Sequence, residues 1–222
     1  MTLTEYADRE MLAIDLANVL AGDLKNCLLV HPWASFVVPG GTTPGPIFDG
    51  LCAADLEWDR VHVMLSDERW VPEDHERSNA GLLKERLFVN RAASARFVPF
   101  HMEGETPETA APLLSAKLAD EMPISLLLLG MGADMHTASL FPGATDLAAM
   151  LADDAPLVVP VSVAGQEPRI SFSGPALAGA MAKHLVIFGQ EKREALERAR
   201  TLDPQEAPIA AVLDGMTVHW AE

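Results

Sequence analysis

Hydrophobic positions along this chain follow two alternating periods. Continuous apolar runs at Ala34 to Val38, Val61 to Leu65, Leu126 to Leu129 and His184 to Phe188 have the length and β-branched or leucine-rich character of strands buried on both faces. Between them, apolar residues recur every three to four positions, as on one face of a helix. Thr2 and Glu5 have capping-box spacing, and Met11, Leu12, Leu16, Val19 and Leu20 follow at helical period, so a first helix is expected from the N-terminus to about Gly22 to Asn26. Helical character also covers Ile47 to Ala54, Asn79 to Leu87, Thr106 to Glu121, Pro175 to Met181, Gln190 to Arg200 and Pro208 to Leu213. Further strands are expected at Arg96 to Val98, Leu157 to Val163, Arg169 to Ser173 and Met216 to Trp220, with Ser66 to Ser78 a polar loop. Strands alternating with helices predict an α/β fold, a mainly parallel sheet with helices on both faces. Glycine and proline punctuate turns and nowhere build a linker, so residues 1–222 are read as one domain.

In open parallel sheets ligands bind just beyond the carboxyl ends of the strands. Three turns occupy that position here. Pro39-Gly40-Gly41-Thr42-Thr43-Pro44 follows the first run, Ser66-Asp67-Glu68-Arg69 the second, and Gly130-Met131-Gly132-Ala133-Asp134-Met135-His136 the four leucines.

Composition narrows what such a site can hold. With 49% apolar residues and no apolar run of bilayer length, the chain reads as a globular protein without a membrane partner. The opening residues lack the basic and apolar blocks of a signal peptide, which leads to an expectation of cytoplasmic location. A formal charge of −16 argues against nucleic acid as a partner, since that binding rests on phosphate neutralisation by Lys and Arg. A small anion remains compatible, because a few local cations govern a pocket within a Debye length of about 8 Å. Cys27 and Cys52 sit in apolar settings and read as free thiols. The histidines show no paired metal-ligand spacing, so no metal site is expected.

The candidate chemistry lies in the turns. Gly40, Gly41 and Thr42 stand between a strand and a helix, where backbone N–H groups can cradle a phosphate or where glycine merely serves a sharp turn. The Gly-Lys-Ser/Thr of nucleotide hydrolases is missing, which disfavours ATP, and Met135 occupies the third glycine position of a dinucleotide fingerprint, which disfavours NAD. His136 carries the side-chain type suited to general base work near neutral pH, and is equally readable as an ordinary half-buried histidine. Arg69 has the fork geometry for phosphate or carboxylate oxygens, and Arg169 and Lys192 are further cation candidates. Ser139 lacks a nucleophile elbow, so a serine hydrolase is unsupported.

Taken in order and spacing, Val38-Pro39-Gly40-Gly41-Thr42-Thr43-Pro44, Ser66-Asp67-Glu68-Arg69-Trp70-Val71-Pro72 with Ser78-Asn79, and Gly130 to Gly143 ending Ala138-Ser139-Leu140-Phe141-Pro142-Gly143 resemble the 6-phosphogluconolactonase family over nearly the whole chain. Pro168-Arg169-Ile170-Ser171 and Gly189-Gln190-Glu191-Lys192 resemble its later phosphosugar-contacting segments. The resemblance implies a Rossmann-like fold of the phosphosugar isomerase/CoA-transferase type and hydrolysis of 6-phospho-D-glucono-1,5-lactone in the oxidative pentose phosphate pathway, with no cofactor. It implies that His136 activates water, that Asp134 or Asp67 orients the imidazole, and that turn N–H groups near Gly130 to Gly132 meet the oxyanion. Gly40, Gly41, Thr42, Arg69, Arg169 and Lys192 would hold the phosphate. The implied partner is a small phosphosugar lactone, and the expected assembly a monomer or small homo-oligomer. Two alternatives stand beside it: a glucosamine-6-phosphate deaminase or isomerase, whose histidine is followed by a carboxylate-bearing run absent from Thr137 to Pro142, and a noncatalytic phosphosugar sensor. The family has glycine where this chain has Met135, a position at which positive φ would strain methionine.

Overall fold

The computed structural model describes residues 1–163 and 165–222. In chain order the elements are β1 (Thr2–Glu5), α1 (Arg9–Val30), β2 (Ala34–Val38), α2 (Gly45–Leu51), β3 (Val61–Leu65), β4 (Asp67–Arg69), α3 (Asn79–Arg86), β5 (Arg96–Phe97), α4 (Pro107–Leu118) and β6 (Leu126–Gly130). There follow α5 (Leu147–Leu151), β7 (Val158–Val161), β8 (Arg169–Phe172), α6 (Gly174–Ala178), β9 (Ala182–Phe188), α7 (Gln190–Ala199) and β10 (Thr217–Ala221). Short 3-10 turns fill several connections.

Seven strands form one sheet in the order β1-β10-β9-β6-β2-β3-β5, with every pair parallel. The leucine run explains why it is covered twice. Leu126 and Leu128 point to one face, where they pack with Phe36, Val38, Val186 and the Leu12–Leu16–Leu20–Leu24 stripe of α1. Leu127 and Leu129 point to the other and join Val37, Leu185, Ile187 and Leu114 of α4. Period-two alternation thus feeds two cores from one apolar strand. The fold class is as the sequence predicts, and among the described residues no helix is long and apolar enough to cross a membrane.

Three local expectations require correction. Thr2–Glu5 does not open the first helix: it pairs with β10 as an edge strand, and the helix is capped by Asp8, whose carboxylate accepts from Met11 N at 2.8 Å. That helix also passes Gly22 and runs to Val30, because Leu24 and Leu28 still have core to bury, which outweighs a glycine penalty of about 1 kcal/mol. The loop expected from Ser66 contains β4, which forms a second, antiparallel sheet in the order β4-β8-β7. Its Asp-Glu-Arg sequence has no hydrophobic pattern to announce it, and pairing with β8 alone makes it a strand.

The site follows from the strand order. From β2 the chain steps outward to β3 and β5, then returns to β6 on β2's other side before continuing to β9 and β10. Connections leaving the neighbouring strands β2 and β6 therefore diverge, which opens a crevice at their carboxyl ends.

Candidate active site

That crevice is a cavity of about 220 Å³. All three turns reach it: Pro39 to Gly41 after β2, Ser66, Asp67 and Arg69 after β3, and Gly130 to Gly132 with His136 after β6. Arg169 enters from β8, and Lys192 from the first turn of α7.

His136 sits in a tight hairpin-like turn. Gly132 N donates to His136 O and Met135 N to Gly132 O, each at 3.0 Å. Closing this turn puts Met135 at φ 67°, the left-handed region that a non-glycine residue rarely adopts. Gly132 is required for space: a Cβ there would collide with the imidazole of His136 and the carboxylate of Asp134. These two side chains meet at 2.5 Å between His136 Nδ1 and Asp134 Oδ1, and Oδ1 also accepts from His136 N at 3.2 Å. The contact engages Nδ1 and leaves the other ring nitrogen as the one available for proton exchange. Phe141 lies against the imidazole, ring centroids 4.6 Å apart, and its ring also carries the Arg169 guanidinium at 5.1 Å.

Of the two aspartates considered as the imidazole's partner, Asp134 makes the contact. Asp67 is buried, with Oδ1 accepting from Ser66 Oγ at 2.9 Å and Oδ2 from Ser139 Oγ at 2.6 Å. It ties the end of β3 to the segment just past His136. The Gly132 N–H, considered as an oxyanion donor, is committed to His136 O and is not available for that role.

The cationic end is built by β4 and β8. Arg169 is only 7% exposed, and burial first of all pushes its guanidinium below the usual range while Asp67 opposes this. One of its Nη groups donates to Gln166 at 2.7 Å, and Arg69 donates to the Arg77 carbonyl at 2.7 Å. Yet Arg69 Nε and Arg169 Nε, both buried, have no hydrogen-bond partner in the protein. Unpaired buried donors are costly, and a phosphate or carboxylate oxygen is the acceptor that matches them.

The glycine turn departs in detail from expectation. Gly41 has φ 80° and borders the cavity, while the space a Gly40 Cβ would need is filled by the Asn79 amide, so Gly40 is required by the chain's own packing. Thr42 is exposed and outside the wall, its carbonyl accepting from Gly45 N at 3.2 Å; Thr43 lines the cavity instead. Asn79 is a lining residue that hydrophobic pattern does not single out, held by its donation to Asp67 O at 3.0 Å. Glu68 is structural: buried at the start of α3, it accepts from Arg69 N, Asn79 N and Ala80 N, although burial raises its pKa. Only the Ser78 cap just before Asn79 is a readable signal for this arrangement. Among the described residues, no group of three or more His, Cys, Asp or Glu side chains is placed to hold a metal ion.

Comparison with known proteins places this geometry in context. The chain is 41% identical over 226 residues to a 6-phosphogluconolactonase of Mesorhizobium japonicum, covering 97% of this chain and 93% of that one. It is 38% identical over 224 residues to a 6-phosphogluconolactonase of Rhizobium meliloti, covering 97% of each. The crystal structure of a 6-phosphogluconolactonase from Shewanella baltica superposes with a TM-score of 0.95 at 30% identity, over 100% of this chain and 98% of that one. A monomeric glucosamine-6-phosphate deaminase shares the fold, with a TM-score of 0.83 at 17% identity over 100% of this chain and 98% of that one. The family model described as glucosamine-6-phosphate isomerases/6-phosphogluconolactonase matches residues 7–220, and with these full-length identities the chain belongs to that family.

Proposed function

We propose that this chain is a lactone hydrolase that opens 6-phospho-D-glucono-1,5-lactone to 6-phospho-D-gluconate in the oxidative pentose phosphate pathway, working in the cytoplasm. The relatives at 38–41% identity carry that activity in their names, which supports the reaction. The observation that carries the site reading is one cavity lined by two chemically distinct groups: the guanidiniums of Arg69 and Arg169, whose Nε atoms are unpartnered, and the Asp134-oriented imidazole of His136, with Phe141 against both His136 and Arg169.

The phosphate rests on Arg69, Arg169 and Lys192 beside Gly41, and its charge is matched by a locally cationic wall on a globally acidic protein. Holding the phosphate fixes the lactone carbonyl near His136, so binding energy far from the reacting carbon lowers the barrier. The free ring nitrogen of His136 takes a proton from water as its oxygen bonds to C1. The carbonyl π pair moves onto oxygen and is met by backbone N–H groups of the glycine turns other than that of Gly132. When the intermediate collapses, the C1–ring oxygen bond breaks and the imidazolium returns its proton to the leaving oxygen. Asp134 stabilises the imidazolium between the two transfers.

A coupled assay on freshly generated 6-phosphogluconolactone, corrected for spontaneous opening, tests the reading. Acceleration of lactone opening is expected. Binding of phosphosugar without acceleration would instead identify a sensor, and ammonia release from glucosamine 6-phosphate a deaminase.

A further inference from the structure

The described residues contain three buried side-chain polar atoms with no hydrogen-bond partner in the protein: Arg69 Nε, Arg169 Nε and Glu167 Oε2. They gather at one place. Arg69 and Arg169 are register partners across β4 and β8, so two guanidinium groups start from facing positions, where like charges repel. Glu167 lies two residues before Arg169 on the approach to β8. Its other oxygen, Oε1, pairs with Arg77 Nη1 at 3.0 Å. The Glu167 carboxyl is held below the usual carboxylate range first by its own backbone N–H, against the opposing effect of burial, with Arg77, Arg169 and Arg69 adding smaller downward pulls.

A carboxylate therefore stands two residues before Arg169, close enough for Arg69 and Arg169 to act on its charge, while not itself lining the cavity. The ion pair ties the segment before α3 to the segment before β8, and one oxygen remains unsatisfied beside two unsatisfied donors. We infer that Glu167 is an affinity-setting residue: a resident carboxylate that opposes phosphate binding at Arg69 and Arg169, kept from settling on those arginines by its pairing with Arg77. The inference rests on the phosphate position proposed above. It concerns phosphoryl oxygens as such, whether of the lactone, the opened product or free phosphate. Because substrate and product phosphates are penalised alike, the effect falls on ground-state binding and on product departure, and raises KM.

Isothermal titration of inorganic phosphate into the full chain tests this, using wild type, Glu167→Gln, Glu167→Ala and Arg169→Ala. Removing the carboxylate charge is expected to tighten phosphate binding by roughly three- to tenfold at low ionic strength, the size of one nearby like charge. The difference should shrink as salt screens it, and KM for the phosphorylated lactone should fall in the same variants. Phosphate binding that is unchanged or weaker in both Glu167 variants, with melting temperatures near that of wild type, overturns the inference alone. Undiminished binding by Arg169→Ala would overturn the phosphate position itself, and this inference with it.

Discussion

Ser139 Oγ donates to Asp67 Oδ2 at 2.6 Å, so the carboxylate next to the glycine and arginine turns grips the histidine turn by its far side and leaves the imidazole alone. Ser139 is fully buried, and its N–H donates to Ser171 Oγ at 3.3 Å, adding β8 to the same joint. One residue thereby ties the His136 turn to β4 and β8, the strands that carry Arg69 and Arg169. Ser139→Ala leaves an unsatisfied carboxylate oxygen, expected to cost about 1–3 kcal/mol of stability. It is also expected to lower kcat more than it raises KM, because the imidazole loses its register with a substrate still held at its phosphate. A change confined to melting temperature would make the joint purely structural. Ser139→Thr, which keeps the donor, should recover part of kcat.

The two aspartates should separate by how they fail. Asp134→Asn removes the charge that faces the imidazolium and is expected to cut kcat by about 10²-fold or more while folding is retained, within the span of general acid–base assistance. Asp67→Asn should act through stability and position. If the two variants lose kcat equally at equal stability, the assignment of separate roles is wrong.

Arg169→Ala and Lys192→Ala are expected to weaken discrimination for the phosphorylated lactone over unphosphorylated gluconolactone. Comparing kcat/KM on the two substrates gives the answer. Parallel losses on both would place these cations outside phosphate recognition.

Met135 provides a backbone test. At φ 67° a β-branched residue is far worse than glycine, so Met135→Val should be less stable than Met135→Gly by at least about 1 kcal/mol in urea unfolding. Met135→Gly itself gains backbone relief and loses side-chain contact with the core. Equal stability of the two variants would mean that the turn relaxes at no cost.

A separate polar chain predicts pH dependence of folding. Asp23, His184, His219, Tyr6 and Asp15 are linked in series at 2.9–3.0 Å between α1 and the strands β9 and β10. Burial first, and then the neighbouring His184, pushes His219 down to about 4, against the opposing pull of Asp15 and Asp23. The unfolded chain takes up this proton near 6.5 and the folded chain only near 4, so between those values the unfolded state binds more protons. Stability should therefore fall as pH drops through that window, by up to about 3 kcal/mol. His219→Gln should flatten this slope in melts recorded between pH 6.5 and about 4, the span of that window; identical slopes would refute the assignment. Tyr6, pushed up to about 12 by burial and then Asp15, works in the opposite range: the unfolded chain gives up this proton near 10 and the folded chain only near 12, so its contribution to stability is lost as pH rises through that window.

Local hydrophobicity carries one part of this molecule and misses another. The apolar runs Leu126 to Leu129 and Ala34 to Val38, with the glycine stops after them, announce buried strands and turns, and the three turns do converge. Residues without a hydrophobic pattern mislead. Thr2–Glu5 and Asp67–Arg69 are strands only because a partner strand lies beside them. Thr42 and Thr43 are indistinguishable as text, and only the turn's path puts Thr43 on the wall.

What the sequence determined by itself is the parallel α/β plan, the placing of three polar turns at the strand ends and the kinds of side chain there, because burial periodicity and turn chemistry are properties of neighbours along the chain. The tertiary structure decided which aspartate meets His136, that Asp67 serves Ser139, and that Arg69 and Arg169 face each other across β4 and β8 with unpartnered Nε groups. Asp67 and Ser139 lie 72 residues apart, and the two arginines belong to different strands of the smaller sheet. No local propensity encodes such relations, since they arise only when packed strands bring separate turns within hydrogen-bond reach.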